Sequence, residues 1–277
     1  MKYKFALLAK DMHNSVLPRT YDFYGKSLGY EVDFNIINVN ENELAETLEK
    51  MRSELDGFTV TMPYKVKIME FCDELDVSAE KCGSSNTVLV KDGKFIGYNT
   101  DGWGMVKCLA LKGYSFEGKN VVLVGAGGVA LSIAYNLSIN KVKHVDVLNK
   151  FPNETERLLA RMDDRFTGYD LTDENLNKCC KGADCFINAS ILGQVGFDDW
   201  TNLDFLKALN ADALVYDVNY SKPGANLPRA AEELGFRHYV GKAMSACQGI
   251  RAMEIWTGTA PSDETARELV ELIENNR

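Results

Sequence analysis

Residues 121–130 read Val121-Val122-Leu123-Val124-Gly125-Ala126-Gly127-Gly128-Val129-Ala130. An aliphatic run that stops at clustered glycines and resumes with helix-compatible residues reads as a buried strand, a tight turn and a helix start. Glycine lets the backbone turn sharply and come close to a ligand. The helix N-terminus beyond it offers unpaired N–H groups and a partial positive charge, which suit a pyrophosphate. The pattern is GxGGxA, a variant of the dinucleotide fingerprint GxGxxG. The alternative reading is a glycine-rich strand–helix turn with no ligand.

The flanking sequence decides between these. Strand-like runs recur at 144–149, 184–188 and 213–218, with helical segments between them. Such alternation implies a parallel sheet covered on both faces. A Rossmann-type, doubly wound domain is therefore expected over 103–236. Its second strand, Val145-Asp146-Val147-Leu148, runs into Asn149-Lys150. NAD sites usually carry an acid at this strand end, and here Asp146 comes too early. Lys150 beside Asn149 suits a 2′-phosphate, so NADP is the expected cofactor, with NAD as the alternative. The other reading of Lys150 is a solvated loop lysine.

Upstream, the periodicity predicts strands over 3–9, 30–39 and 57–62 and helices over 18–28 and 41–54, with Pro18 opening the first helix. Residues 86–90 and 95–98 flank Asp92-Gly93, a strong hairpin signal. A helix is expected over 101–113, and two more at the end, over 242–257 and 261–275. These predict an N-terminal α/β domain, residues 1–102, to which 237–277 return.

Composition narrows the partners. The chain has 277 residues, is 45% hydrophobic and carries a formal net charge of -9. So acidic a surface repels phosphate backbones and anionic lipid, which argues against nucleic acid and membrane partners. An anionic ligand then needs a local positive site, and the helix end after Gly127 supplies one. Seven cysteines without a CxxC pair fit reduced thiols in a cytoplasmic protein. No apolar run approaches the ~20 residues of a membrane span. His13, His144 and His238 are isolated, so no metal site is expected. A monomer or homodimer is expected.

Three short polar segments complete the picture. Thr59-Val60-Thr61-Met62-Pro63-Tyr64-Lys65 places Lys65 just past a strand's C-terminal end, where α/β ligand sites lie. Ser84-Ser85-Asn86-Thr87 begins the next strand, and Tyr98-Asn99-Thr100-Asp101-Gly102 ends the hairpin. Each by itself is also what caps and turns are made of.

In order along the chain, these segments resemble the shikimate dehydrogenase family. The family's NVTxPxK matches 59–65, its AVNTV matches 84–88, and GYNTDGxG is intact at 97–104. GAGGxA matches 125–130, and NRT is similar to Asn149-Lys150-Phe151. NATSxGM is similar to 188–194, VYDxxY is present at 215–220, and GxGMxxxQ is similar to 241–248. The resemblance implies reversible hydride transfer between NADPH and the ring ketone of 3-dehydroshikimate, a small cyclic hydroxy acid. It implies Lys65 and Asp101 as the catalytic pair, and substrate contacts from Ser15, Thr61, Asn86, Tyr220 and Gln248. It also implies cofactor contacts from Gly125, Ala126, Gly127, Gly128, Val129, Ala130, Asn149, Lys150, Asn188, Ala189, Val218 and Gly241. The chemistry is consistent: a ketone accepting hydride becomes an alkoxide, and an ammonium can supply both the proton and the positive charge.

The chain departs from the family at SxSP, which reads Ser15-Val16-Leu17-Pro18. Losing a donor to a carboxylate costs about 1.5–3 kcal/mol, roughly 10- to 150-fold in binding. Thr59 replaces an asparagine, and Ala243 a glycine. Quinate or a related cyclic hydroxy acid is therefore the alternative substrate, and a non-catalytic NADP-binding paralogue the alternative class.

Overall fold

The computed structural model describes residues 1–13, 15–219 and 224–275. The chain forms two compact units, Met1–Leu111 with Ser245–Arg277, and Lys112–Met244. The first contains β1 (Lys2–Ala9), α1 (Leu17–Leu28), β2 (Glu31–Asn38), α2 (Leu44–Glu54), β3 (Gly57–Val60), α3 (Tyr64–Lys67), β4 (Glu74–Leu75), α4 (Val77–Cys82), β5 (Thr87–Lys91), β6 (Lys94–Tyr98) and α5 (Asp101–Leu111). The second runs β7 (Asn120–Val124), α6 (Gly128–Ile139), β8 (His144–Asn149), α7 (Pro152–Leu159), β9 (Phe166–Asp170), α8 (Asp173–Cys180), β10 (Cys185–Asn188), β11 (Leu214–Asp217), α9 (Asn226–Glu233) and β12 (Arg237–Val240). The chain ends in α10 (Met244–Thr257) and α11 (Asp263–Asn275).

The unit boundaries fall at 111/112 and 244/245 rather than at 102/103 and 236/237. Two elements account for the difference. α5 stays with the first unit, where Lys107 Nζ meets Asp263 Oδ1 at 2.6 Å. β12 pairs in parallel with β11 and so belongs to the second sheet.

The first sheet has the order β2-β1-β3-β5-β6-β4. It is mixed, because β5 runs antiparallel to both β3 and β6. The β5–β6 turn holds Asp92 and Gly93 at φ 53° and 71°, the left-handed pair that an Asp-Gly hairpin requires. Alternation along β1 sends Ala6 and Leu8 to one face, where they pack with Leu44, Leu48 and Met51 of α2. Phe5 points to the other face and stacks on Trp256 of α10, ring centres 4.3 Å apart. The Trp256 indole N–H donates to the Val88 carbonyl at 2.9 Å. A Cβ at Gly57 would lie 2.4 Å from that indole, so the bare backbone there is what lets α10 seat against the sheet.

The second sheet, β12-β11-β10-β7-β8-β9, is parallel throughout. Counted from β7, this is the Rossmann order, with the order of strand addition switching to the other side of the sheet between β7 and β10. Val122, Val124, Phe186 and Val215 pack beneath Leu176, Phe205 and Leu227 on one face. α6 contributes Ala130, Ile133, Ala134 and Leu137, all fully buried. The sequence reading missed β9 and β12. In β9, Phe-Thr-Gly-Tyr-Asp breaks the alternation at Gly168, where a Cβ would stand 2.6 Å from Thr155 Cγ2 of α7.

All seven cysteines are free thiols. Burial pushes Cys179 up to about 12 and Cys72 up to about 11, so neither carries appreciable thiolate at neutral pH. Among the described residues, no helix is long and apolar enough to cross a membrane.

Candidate active site

The first unit brings three chain segments to one end of its sheet. β3 ends at Val60, whose N–H donates to the Asn86 carbonyl at 2.8 Å. Asn86 lies just before β5, and its own N–H donates to the Tyr98 carbonyl at the end of β6, at 3.1 Å. Thr61 and α3 follow β3, and Asp101 opens α5 directly after β6. The three polar segments of the sequence thus become neighbours because β3, β5 and β6 pair edge to edge.

Lys65 Nζ donates to Asp101 Oδ2 at 2.7 Å. The Asp101 side chain is 6% exposed and that of Lys65 23%, so the pair is shielded but open on the amine side. The other carboxylate oxygen, Oδ1, accepts from Asn86 Nδ2 at 2.8 Å. Asn86 Nδ2 also donates to Gln248 Oε1 of α10, at 3.3 Å. The Asn86 side-chain oxygen, Oδ1, accepts from the Thr100 N–H at 2.8 Å and from Thr87 Oγ1 at 3.1 Å. Both ends of the amide are therefore committed, and its orientation is set. Asn99 reinforces the turn by donating to Ser84 through its amide at 3.0 Å, while its Oδ1 accepts from the Asp101 N–H at 3.2 Å. Lys65 is fixed from the backbone side, its carbonyl accepting from the Ser85 N–H at 2.8 Å.

Ser15 and Leu17 stand at the start of α1, where Ser15 Oγ accepts from the Leu17 N–H at 3.2 Å. The Leu17 side chain is buried. Thr61 is partly exposed at the end of β3, and its N–H donates to the Leu8 carbonyl at 3.1 Å. Tyr220 lies outside the described residues.

In the second unit the glycine loop sits at the reversal point of the sheet. Gly125 adopts φ +107°, which L side chains rarely take up, and a Cβ there would lie 2.7 Å from the Ala189 carbonyl oxygen. Its N–H donates to the Leu148 carbonyl at 2.8 Å. Ala126 and Ala130 are buried, whereas Gly127 and Gly128 are exposed and Val129 is partly so. A Cβ at Gly127 would meet nothing within 4 Å. Gly127 caps α6 without a side chain. The first intrahelical bond runs from the Leu131 N–H to the Gly127 carbonyl at 2.9 Å. The N–H groups of Gly128, Val129 and Ala130 therefore have no partner within the helix. Open space above bare amides at a helix start fits a pyrophosphate.

The remaining candidates line the same edge of the sheet. Asn188, fully buried, ends β10 and donates to Asp217 Oδ1 at 3.0 Å, while Val218 N–H donates to the Asn188 carbonyl at 2.9 Å. A Cβ at Gly241 would come within 1.9 Å of the Val218 carbonyl oxygen. Asn149 is buried at the end of β8, and Lys150 is exposed, its Nζ 5.9 Å from the Phe151 ring centre. One polar group escaped the sequence reading. Glu154, in the first turn of α7, folds back so that its Oε2 accepts from Asn149 Nδ2 at 3.1 Å. Among the described residues, no group of three or more His, Cys, Asp or Glu side chains is placed to hold a metal ion.

A Rossmann unit with bare amides at its reversal point, joined to a unit that sets an ammonium against a buried carboxylate, defines a dinucleotide-dependent oxidoreductase. Comparison with known proteins makes the class specific. Residues 7–88 match the family model described as the shikimate dehydrogenase substrate binding domain. A shikimate dehydrogenase (NADP(+)) of Alkaliphilus metalliredigens is 35% identical over 260 residues, covering 91% of this chain and 90% of the relative. The shikimate 5-dehydrogenase of Listeria monocytogenes, solved in complex with shikimate and NAD, superposes with a TM-score of 0.86 at 29% identity, over 97% of this chain and 96% of the other. A ligand-free 5-ketofructose reductase of Gluconobacter sp. strain CHM43 superposes with a TM-score of 0.84 at 25% identity, over 99% of each chain. The chain belongs to the shikimate dehydrogenase family.

Proposed function

We propose that the chain catalyses the reversible, NADP-dependent reduction of 3-dehydroshikimate to shikimate. The observation that carries this reading is the Lys65–Asp101 pair, 2.7 Å apart and braced by Asn86, in a chain of this family. The first unit holds the acid and the second the dinucleotide. Reduced nicotinamide, when bound, supplies the hydride.

The chain's own residues handle the proton. As the carbonyl carbon gains the hydride's electron pair, its oxygen becomes basic. Lys65 Nζ gives that oxygen a proton and is reprotonated from solvent through its exposed side. In the reverse direction the neutral amine takes the proton from the hydroxyl. Asp101 Oδ2 aims the amine, and Asn86 stops the carboxylate from turning by holding Oδ1. Gln248 presents its carbonyl to Asn86, so its amide nitrogen is the end that donates toward a substrate hydroxyl. Asn86 reaches substrate by exchanging the longer of its two Nδ2 bonds, the one to Gln248. Ser15, Thr61 and Tyr220 supply hydroxyls. The bare amides of 128–130 take the pyrophosphate, and Lys150 with Asn149 takes the ribose phosphate. Ala189, Val218 and Gly241 bring backbone rather than side chains to the same edge.

The buried Leu17 favours a second reading of the substrate, quinate or a related cyclic hydroxy acid, because one hydroxyl donor to a carboxylate is missing. The free thiols support a reducing, cytoplasmic setting. We place the protein there as a monomer or homodimer.

The test is the absorbance of reduced nicotinamide in the purified full chain with 3-dehydroshikimate and NADPH, and in reverse with shikimate and with quinate. Lys65→Ala is expected to lower kcat by about 10²- to 10⁴-fold, the usual worth of a positioned acid–base group. No turnover of any of the three acids by the unmutated chain would sink the reading.

A further inference from the structure

The segment Asn149-Lys150-Phe151-Pro152-Asn153-Glu154 carries one cation and one carboxylate. Gly125 follows β7 and Asn149 ends the neighbouring β8: Val124 is in register with Leu148, and the Gly125 N–H donates to the Leu148 carbonyl. Asn149 is therefore the residue that the tip of β8 offers beside the glycine loop. In Rossmann sheets the acid that takes a free ribose 2′-hydroxyl sits at this tip, and sites for a 2′-phosphate place a cation there instead. The strand itself ends without an acid. The fold supplies one all the same: Pro152 starts α7 and its first turn brings the Glu154 carboxylate onto the Asn149 amide, at 3.1 Å. Lys150, by contrast, extends into solvent. The carboxylate is held by the β8 tip, and the cation is not.

We infer that Glu154 is a cofactor-selecting residue. Its carboxylate opposes a 2′-phosphate and accepts a hydrogen bond from a free 2′-hydroxyl, so the chain binds NAD as well as NADP. This rests on the reading of the 125–128 loop as the dinucleotide site. Lys150 and Glu154 carry opposite charges, so a 2′-phosphate meets no net local attraction from this segment. The chain's overall charge of -9 adds none.

Isothermal titration calorimetry tests this without turnover, using NAD+ and NADP+ on the full chain, and AMP against adenosine 2′,5′-bisphosphate to isolate the ribose. The unmutated chain is expected to bind the two dinucleotides within about tenfold of each other. Glu154→Gln keeps an acceptor for Asn149 while removing the charge. It is expected to tighten NADP+ and weaken NAD+, moving the ratio of their dissociation constants about tenfold or more, as removal of a like charge predicts. Lys150→Ala, at an exposed position, is expected to move the ratio the opposite way. Glu156→Gln removes the same charge from an exposed position of α7 and should leave the ratio within about twofold, because screened surface charges act weakly. A ratio indifferent to Glu154→Gln, or one that moves the same way with Lys150→Ala, overturns the inference. An unmutated chain that binds neither dinucleotide overturns the loop reading instead.

Discussion

The Lys65 cluster and the Gly125 loop both present polar groups at a sheet edge, but by opposite means. Around Lys65 the polar groups are side chains that hold one another: Lys65 on Asp101, Asp101 on Asn86, Asn86 on Thr87, Thr100 and Gln248. Around Gly125 they are backbone amides, accessible because side chains are missing at 125, 127 and 128. The first site is fragile to deletion, since a lost partner strands a buried polar group. The second is fragile to addition, since one extra carbon occupies space that the backbone or a ligand needs.

The largest effect should come from adding a carbon in the second unit. Gly241→Ala would force its Cβ to 1.9 Å from the Val218 carbonyl oxygen, and backbone cannot swing aside. We expect a loss of about 3 kcal/mol or more in urea unfolding, at the upper end of overpacking costs. A variant that unfolds like the parent would mean that the 218–241 contact is slack. Next comes a deletion in the first unit. Asn86→Ala strands Asp101 Oδ1 and the Thr100 N–H, each worth about 1–3 kcal/mol when left unsatisfied. Both melting temperature and kcat should fall together; a loss of kcat alone would assign Asn86 to substrate rather than to bracing.

Gly127→Ala separates folding from binding. Its φ of -73° suits alanine and the new Cβ meets nothing within 4 Å. Removing a glycine stabilises by about 0.4–1 kcal/mol, while alanine is a poorer N-cap by a similar amount, so the melting temperature of the unliganded chain should barely move. Dinucleotide affinity, read by calorimetry, should drop about tenfold or more as the methyl occupies the approach to the amides. Unchanged affinity would place the pyrophosphate elsewhere. The smallest effect on activity is expected from Leu17→Ser, which restores a hydroxyl at the start of α1 at the cost in stability of a buried leucine. It should lower KM for shikimate by about tenfold, the worth of one hydrogen bond to a charged group, with kcat little altered. A KM that rises would favour an acid other than shikimate.

Much of the second unit was legible in sequence because its signals are local. An aliphatic run, a glycine turn and regular β-α spacing define β7, α6, β8, β10 and β11. β9 escaped because Gly168, required by the closeness of Thr155, spoils the alternation. β12 escaped because, at the sheet edge, Arg237-His238-Tyr239-Val240 is only partly buried and lacks the apolar run that marks the equally short β10 and β11. In the first unit the residue types of the site were legible but their mutual orientation was not. The bond from Asn86 to Gln248 joins residues 162 positions apart, and nothing near either residue announces it. Glu154 was missed for a related reason. No acid stands at the end of the strand itself; the fold delivers one from the following helical turn.

Residues 245–277 return to complete the first unit, with Trp256 on Phe5 and Val88, and Gln248 on Asn86. During synthesis the chain emerges from its N-terminus, and domains fold as units. The second unit is contiguous and can close as soon as its last strand is out. The first must wait, its Phe5 face uncovered, until the ribosome has made α10. The bracing of Asn86 thus depends on a helix made only after the whole second unit, and a chain cut short before residue 245 would keep the glycine loop while losing Gln248 and Trp256.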